Sequence, residues 1–339
     1  MSARVVEATA PARVDLAGGT LDIWPLYLFH PGAVTVNVAI DRRAHCRVAT
    51  GVSGVRLESR DTLTRVEVAD VDGARRDGGL PLLTAILEAL GVERGVHVVT
   101  HSRVPAGSGL GGSSALAVAV AAAVARATGR ELPADALWAL VRDAEARSIG
   151  VPTGVQDYVP ALYGGVQAVR LRPGGPRAEG VRCDPARVEE ALVLVNTGEA
   201  RFSGINNWEV FKRHVDGDTE VREALAAIAR AAAGVAEALE AGRYEAVTEL
   251  MAAEWEARQR LAPTVSTPEI DRIVAVARAA GGAAKVCGAG GGGVVAVWAL
   301  PGARGAGDRE RVLASLRAAG LSPMPFRVDL RGLEVEDAA

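Results

Sequence analysis

The run Val104-Pro105-Ala106-Gly107-Ser108-Gly109-Leu110-Gly111-Gly112-Ser113-Ser114-Ala115 constrains this chain more than any other stretch. Four glycines fall within six positions, and an alanine- and valine-rich segment follows. Glycine opens backbone conformations closed to other residues and lets the main chain approach a bulky anion. The segment from about Ser113 to Thr128 has helical character, so its first turn offers unpaired N–H groups and the positive end of a dipole. Read alone, the run fits a phosphate cradle and equally a helix start with glycines for tight packing. It is not a Walker loop, because no Gly-Lys-Ser/Thr ends it. It also lacks the acidic residue that a dinucleotide fingerprint needs after the next strand.

Composition narrows the partners. Lys+Arg number 38 against Asp+Glu 41, a near balance that argues against a nucleic-acid binder. The 339 residues suggest about two domains. Cys46, Cys183 and Cys287 are far apart and form no CxxC pair, which points to inert thiols in a reducing compartment. The amino terminus has no apolar signal core, and the apolar run from Ala115 to Ala125 is too short to span a bilayer. The expectation is a cytoplasmic protein, a monomer or homodimer, acting on a small molecule away from membranes.

Along the chain, alternation predicts strands over 4–8, 33–40, 44–50, 95–101, 165–171 and 192–196, and a hairpin from 55–59 and 64–68. Helical periods cover 80–90, 133–148, 220–240, 244–261, 267–280 and 309–319. Late strands are expected over 284–286, 294–300 and 323–330, with a frayed tail from Glu334 to Ala339. The order predicts an α+β chain of two lobes, 1–195 and 196–339.

Two carboxylates draw attention. Glu145 lies near the end of a helix, and Asp157 follows the turn-rich Gly150-Val151-Pro152-Thr153-Gly154-Val155-Gln156. Phosphoryl transfer asks for one carboxylate on a metal ion and another beside the attacking hydroxyl. Each also has a plain reading: Glu145 as a solvated helix residue, Asp157 as a helix cap. Two further glycine clusters, Ala17-Gly18-Gly19-Thr20-Leu21-Asp22 and Gly288-Ala289-Gly290-Gly291-Gly292-Gly293, read as hairpin turns or as parts of a site. The second would let a backbone turn approach the first loop, and Lys285 beside it is either an anion contact or a solvated charge.

Three motifs in this order resemble those of the GHMP kinase superfamily. The first is Pro11-Ala12-Arg13-Val14-Asp15-Leu16-Ala17-Gly18-Gly19-Thr20-Leu21-Asp22, the second Pro105 to Ala115, and the third Lys285 to Gly293. Asn37-Val38-Ala39-Ile40-Asp41-Arg42, Gly154-Val155-Gln156-Asp157-Tyr158, Tyr163-Gly164-Gly165 and Asn196-Thr197-Gly198-Glu199-Ala200-Arg201 are most similar to the heptose-phosphate type of sugar kinase.

The resemblance implies a two-lobed GHMP kinase fold, a ribosomal S5 domain 2-like lobe followed by a ferredoxin-like lobe, with ATP and Mg2+ as cofactors. It implies that Pro105, Gly107, Ser108, Gly109, Leu110, Gly111, Gly112, Ser113 and Ser114 wrap the phosphates. Ser113 and Glu145 would hold the metal, Asp157 would act as base, and Arg13 would keep it ionised. Asp22, with Gly18, Gly19, Thr20 and Gly290, would meet a sugar or sugar-phosphate acceptor. Two departures stand out. Gly112 replaces a serine common in the family, which leaves the metal serine open between Ser113 and Ser114. Where the heptose kinases tend to read Gly-Gly-Gly-Thr-Asp, Gly18-Gly19-Thr20-Leu21-Asp22 keeps the Asp in register but swaps the residues before it, and Trp24-Pro25-Leu26-Tyr27 then adds bulk where the acceptor should sit, with Trp24 either stacking on a sugar or packing in the core. A kinase for a non-sugar alcohol of the mevalonate type, an inactive nucleotide-binding sensor and a decarboxylase of the mevalonate diphosphate type are the competing readings. The polar and aromatic stretch 201–214 is either an anion contact or a linker.

Overall fold

The computed structural model describes residues 3–199, 203–300 and 308–338. Its first strand, Val5–Ala17, alternates between buried and half-buried at its start and is buried continuously from Ala10 onward. Alternation is the mark of a sheet with one wet face, and a continuous apolar run is the mark of a strand covered on both. The change comes where the strand leaves the outer sheet and enters the seam between the lobes. There Ala12, Val14 and Leu16 share a core with Leu192, Leu194, Val235, Met251 and Val294 from later in the chain. The lobes therefore meet through packed side chains as well as through loops.

The first lobe carries an eight-stranded sheet. Val34–Thr50, expected as two strands, is one long strand antiparallel to Val5–Ala17, with a register shift between Pro11 and Ala12. Proline cannot donate to the ladder, so a bulge there is the economical solution. The later half of Val34–Thr50 pairs with Val96–Ser102, and its earlier half with Val166–Arg170. The expected hairpin forms over Val55–Ser59 and Thr64–Val68, and its first strand runs parallel to Val96–Ser102. Beneath the sheet lie the helices Gly112–Ala127 and Ala134–Ile149. The former is almost wholly buried, which its small alanine and valine side chains allow.

The tail is a correction. Glu334–Ala338 is a strand antiparallel to Val5–Thr9, not a frayed end. Its sequence, EVEDA, is too polar to show an apolar period, but the backbone ladder requires none. The second sheet has the order Pro323–Met324, Leu192–Asn196, Val294–Trp298, Ala283–Val286. Leu192–Asn196, assigned to the first lobe from the sequence, thus pairs inside the second. The late strand expected over 323–330 shrinks to Pro323–Met324 plus a single bridge between Ile40 and Val328. Helices Thr219–Glu240, Tyr244–Gln259 and Pro268–Ala279 form close to their expected limits; the last two cover this sheet, and the first packs on Tyr244–Gln259 and on the long strands Val5–Ala17 and Val34–Thr50. Thr267 caps the last by accepting from Ile270 N–H, with Pro268 in the first turn. The stretch read as a linker is a helix, Ser203–Val215. Ala200, Arg201, Phe202 and Ala339 lie outside the described residues. Among the described residues no helix is long and apolar enough to cross a membrane.

Candidate active site

The loop that opens the buried helix has a regular backbone. Gly107, Gly109 and Gly111 take φ of 68°, 77° and 70°. Left-handed residues alternating with ordinary ones turn successive N–H groups into one concavity, the shape that receives an anion. The third glycine motif braces this loop from outside. Val294 N–H donates to the Ser108 carbonyl at 2.8 Å, and a Cβ added to Gly293 would stand 2.5 Å from the same oxygen. Gly112 has its own reason to lack a side chain: a Cβ there would meet Val104 Cγ1 at 2.9 Å. A serine at this position would have to displace Val104, so the hydroxyls come from the next two residues.

Those hydroxyls converge on Glu145. Ser113 Oγ donates to one carboxylate oxygen at 2.5 Å and Ser114 Oγ to the other at 2.7 Å. Tyr158 adds a third bond at 2.7 Å, from a residue that sequence reasoning passed over. Glu145 is buried, so the solvated-surface reading does not hold. Burial pushes its pKa up, and the bonds from Ser113, Tyr158 and Ser114 work against that rise. Ser114 is buried while Ser113 stands exposed at the mouth of the helix.

Asp157 precedes the helix Tyr158–Tyr163 but makes no side-chain cap. Its carboxylate is taken by Arg13, whose Nε and Nη2 donate to Oδ1 at 2.8 and 2.5 Å. Arg13 Nη1 also donates to the Gly109 carbonyl, and Arg13 N–H donates to Leu110 O at 2.9 Å. One side chain thus ties the carboxylate to the glycine loop. Burial works against the Arg13 charge, but Asp157 and then Asp15 more than offset it, and its pKa is raised. Asp157 itself retains 26% side-chain exposure, enough to meet a ligand.

Asp22, expected to grip acceptor hydroxyls, is bound to the backbone just before Asp157. It is buried, and its Oδ2 accepts from Val155 N–H at 2.6 Å and Gln156 N–H at 2.9 Å. It fixes the backbone that presents Asp157. Gly154 makes room for it, since a Cβ there would fall 1.9 Å from Oδ2. Burial lifts the Asp22 pKa to about 6; the bond from Gln156 opposes the rise and the charge of Asp157 adds to it. Gly18 and Gly290 are also fixed by packing: added Cβ atoms would lie 2.1 Å from Val34 O and 2.5 Å from Val265 O. Thr20 takes a φ of 77° and its hydroxyl reaches Asn207 at 3.3 Å, which joins the first motif to the helix Ser203–Val215. Trp24 is 65% exposed, so it does not serve as core. Lys285 is fully buried on Asp15 at 3.0 Å, which removes both the solvated-charge and the direct anion-contact readings.

Asp15, Glu254 and Arg258 were not singled out from the sequence. A signal existed for the last two. Val247, Met251, Glu254 and Arg258 fall at helical spacing on one buried stripe, and charges on an apolar stripe are worth a question. Among the described residues no group of three His, Cys, Asp or Glu side chains is placed to hold a metal. A divalent ion here would be held by few protein oxygens and by its own waters and the phosphates.

The comparisons agree with this geometry. The family description "GHMP kinases N terminal domain" matches residues 80–165, and "GHMP kinases C terminal" matches residues 235–320. The chain is 28% identical over 305 residues to D-glycero-alpha-D-manno-heptose 7-phosphate kinase of Campylobacter jejuni, covering 86% of this chain and 88% of that protein. It is 25% identical over 354 residues to mevalonate kinase of Pyrococcus abyssi, covering 98% of each. The crystal structure of a D-glycero-D-manno-heptose 1-phosphate kinase from Bacteroides thetaiotaomicron superposes with a TM-score of 0.77 at 21% identity, over 98% of this chain and 99% of that one. With the glycine loop, the paired Arg13 and Asp157 and the second glycine run assembled at one place, the chain belongs to the GHMP kinases, ATP-dependent phosphotransferases with an alcohol group as acceptor.

Proposed function

We propose that the protein transfers the γ-phosphoryl group of ATP to a hydroxyl of a sugar or sugar phosphate, in the cytoplasm. The observation that carries this reading is the Arg13–Asp157 pair set flush against the phosphate loop. A Cβ on Gly111 would lie 3.3 Å from the Asp157 carboxyl carbon, so a hydroxyl at Asp157 is within reach of a phosphoryl group in the loop. The acceptor oxygen forms its bond to the γ-phosphorus as the bond to the β-phosphate oxygen breaks. The hydroxyl proton passes to Asp157, and ADP leaves. Arg13 holds the Asp157 carboxylate in place beforehand and steadies negative charge as it moves.

The loop from Pro105 to Ser114 binds the phosphates through its N–H groups and the start of the buried helix. Ser113 and Glu145 would hold Mg2+, since hydroxyl and carboxylate oxygens at the helix mouth form the hard donor set this ion prefers. When bound, the ion neutralises phosphate charge. Of the two serines, Ser113 is the metal ligand because it is exposed at the helix mouth beside Glu145, while buried Ser114 holds the carboxylate in place. On the acceptor side, Gly18, Gly19 and Thr20 shape the turn, Gly290 sets the opposing backbone, and Asp22 works through the Val155–Asp157 segment. Exposed Trp24 offers a ring face to the acceptor.

A sugar is favoured over a mevalonate-type acid by the likeness to the heptose 7-phosphate kinase, though mevalonate kinases also align along the whole chain. The arrangement of Arg13, Glu145 and Asp157 speaks for catalysis over a binding-only sensor. The test is ADP release coupled to a spectrophotometric signal across free sugars, sugar 1- and 7-phosphates and mevalonate. Turnover on sugars or sugar phosphates, with mevalonate inert, is the expected result. Preference for mevalonate, or ATP binding with no transfer to any alcohol, overturns the reading.

A further inference from the structure

Beneath the turn Gly18-Gly19-Thr20 lies a set of buried charges that phosphoryl transfer does not by itself require. Glu254 and Arg258 sit one turn apart on the helix Tyr244–Gln259, with side chains 0% and 1% exposed and 2.5 Å between them. Removing an ion pair from water is costly, and further hydrogen bonds must offset it. Nearly all of those bonds go to one place. Arg258 Nη2 donates to Gly19 O at 2.9 Å, and Nη1 lies 3.4 Å from Thr20 Oγ1. Gly18 N–H donates to Glu254 Oε1 at 3.3 Å. Three consecutive residues of the turn are therefore held by one pair from the second lobe.

The turn needs such support. Thr20, a β-branched residue, stands at a φ of 77°, a conformation that persists only when its surroundings impose it. The same charges continue toward the catalytic pair. Lys285 lies 3.8 Å from Glu254 and 3.0 Å from Asp15, and donates to the Asp15 carbonyl at 3.2 Å. Asp15 lies two residues along the strand from Arg13, and a Cβ on Gly19 would meet its Oδ2 at 2.7 Å.

We propose that Glu254 and Arg258 are positioning residues for the acceptor: from the second lobe they fix the Gly19 carbonyl and the Thr20 hydroxyl in the arrangement that receives the sugar. They touch neither ATP nor the reacting hydroxyl. The inference rests on the reading above that the Gly18–Thr20 turn faces the acceptor.

Two variants test it: Arg258→Lys, which keeps the charge and loses the planar fork, and the double variant Glu254→Leu/Arg258→Met, which removes both charges at similar volume. Steady-state kinetics are read on the sugar or sugar phosphate that the parent protein turns over best and on ATP. Amide hydrogen exchange is read on the peptide spanning Gly18 to Asp22 and on the one spanning Pro105 to Ala115. The expected result is an acceptor KM raised at least tenfold with the ATP KM within twofold. Exchange over 18–22 accelerates at least tenfold, while 105–115 stays protected. An acceptor KM within twofold of the parent's in a folded variant overturns the proposal, whatever the exchange shows. So does an equal rise in both KM values, which marks general loosening. If the double variant does not fold, Arg258→Lys decides on the same readouts. If the parent protein phosphorylates another alcohol but no sugar, the sugar reading fails while the same KM and exchange readouts, taken on that alcohol, still decide the positioning role; if it phosphorylates no alcohol, both fail.

Discussion

Gly111 and Asp157 are in direct contact: the space where a Cβ on Gly111 would go is closed by the Asp157 side chain at 3.3 to 3.4 Å. The two residues come from different motifs and are 46 positions apart in the sequence. Their contact puts the candidate base against the glycine loop, and it makes the glycine necessary twice, since Gly111 also has a φ of 70°. Gly111→Ala is expected to lower kcat at least tenfold by displacing Asp157, with about 1 kcal/mol lost from backbone strain. Steady-state kinetics beside a melting curve check this, and an unchanged kcat would show that the contact is not needed for catalysis.

Asp157→Asn should lower kcat by roughly 10²- to 10⁴-fold, the usual range for loss of a general base, with the ATP KM little changed. Asparagine still offers an oxygen to Arg13. Asp157→Ala does not, and it leaves a guanidinium that is 2% exposed without this partner. The alanine variant should therefore be less stable than the asparagine variant by about 1–3 kcal/mol. Chemical denaturation of both variants is the measurement; equal stability would mean that Arg13 is satisfied elsewhere.

The two serines on Glu145 should separate by assay. Ser113→Ala is expected to raise the Mg2+ concentration needed for half-maximal rate about tenfold with little change in melting temperature. Ser114→Ala removes a buried bond to Glu145 and should cost about 1–2 kcal/mol of stability. The reverse pattern in a Mg2+ titration would make Ser114 the metal ligand.

Asp22 carries a pH dependence with a definite sign. Its pKa rises from 3.8 to about 6 on folding. The protonated form is therefore favoured in the folded state, and the associated stability is full below pH 3.8 and is lost as pH rises through about 6. The whole effect is of the order of 3 kcal/mol. Asp22→Asn keeps an oxygen for Val155 and Gln156 N–H and removes the titration. Between pH 4 and 7 the parent protein should lose stability relative to this variant. Parallel melting curves across that range would contradict the assignment.

Much of the fold was legible. The hairpin at 55–68, the long helices of the second lobe and the glycine loop rest on local patterns of period and turn chemistry that need no tertiary information. The missed parts share a physical cause. Glu334–Ala338 pairs through backbone groups, which leave no mark on side-chain composition. Leu192–Asn196 reads as a strand, but nothing local says which sheet it joins. The helix Ser203–Val215 was hidden because its aromatic and basic residues suit a surface loop equally well.

For the site, the sequence determined which residue types are present and in what order: three glycine motifs, Arg13, Glu145 and Asp157. Only the tertiary structure decided their burial and their partners. It set Asp22 on the Val155–Gln156 backbone, and it placed Lys285 on Asp15 in full burial. It also brought Glu254 and Arg258 under the first motif from more than two hundred residues away. Burial and long-range pairing set what a charged group can do, and neither is a property of a residue's neighbours in sequence.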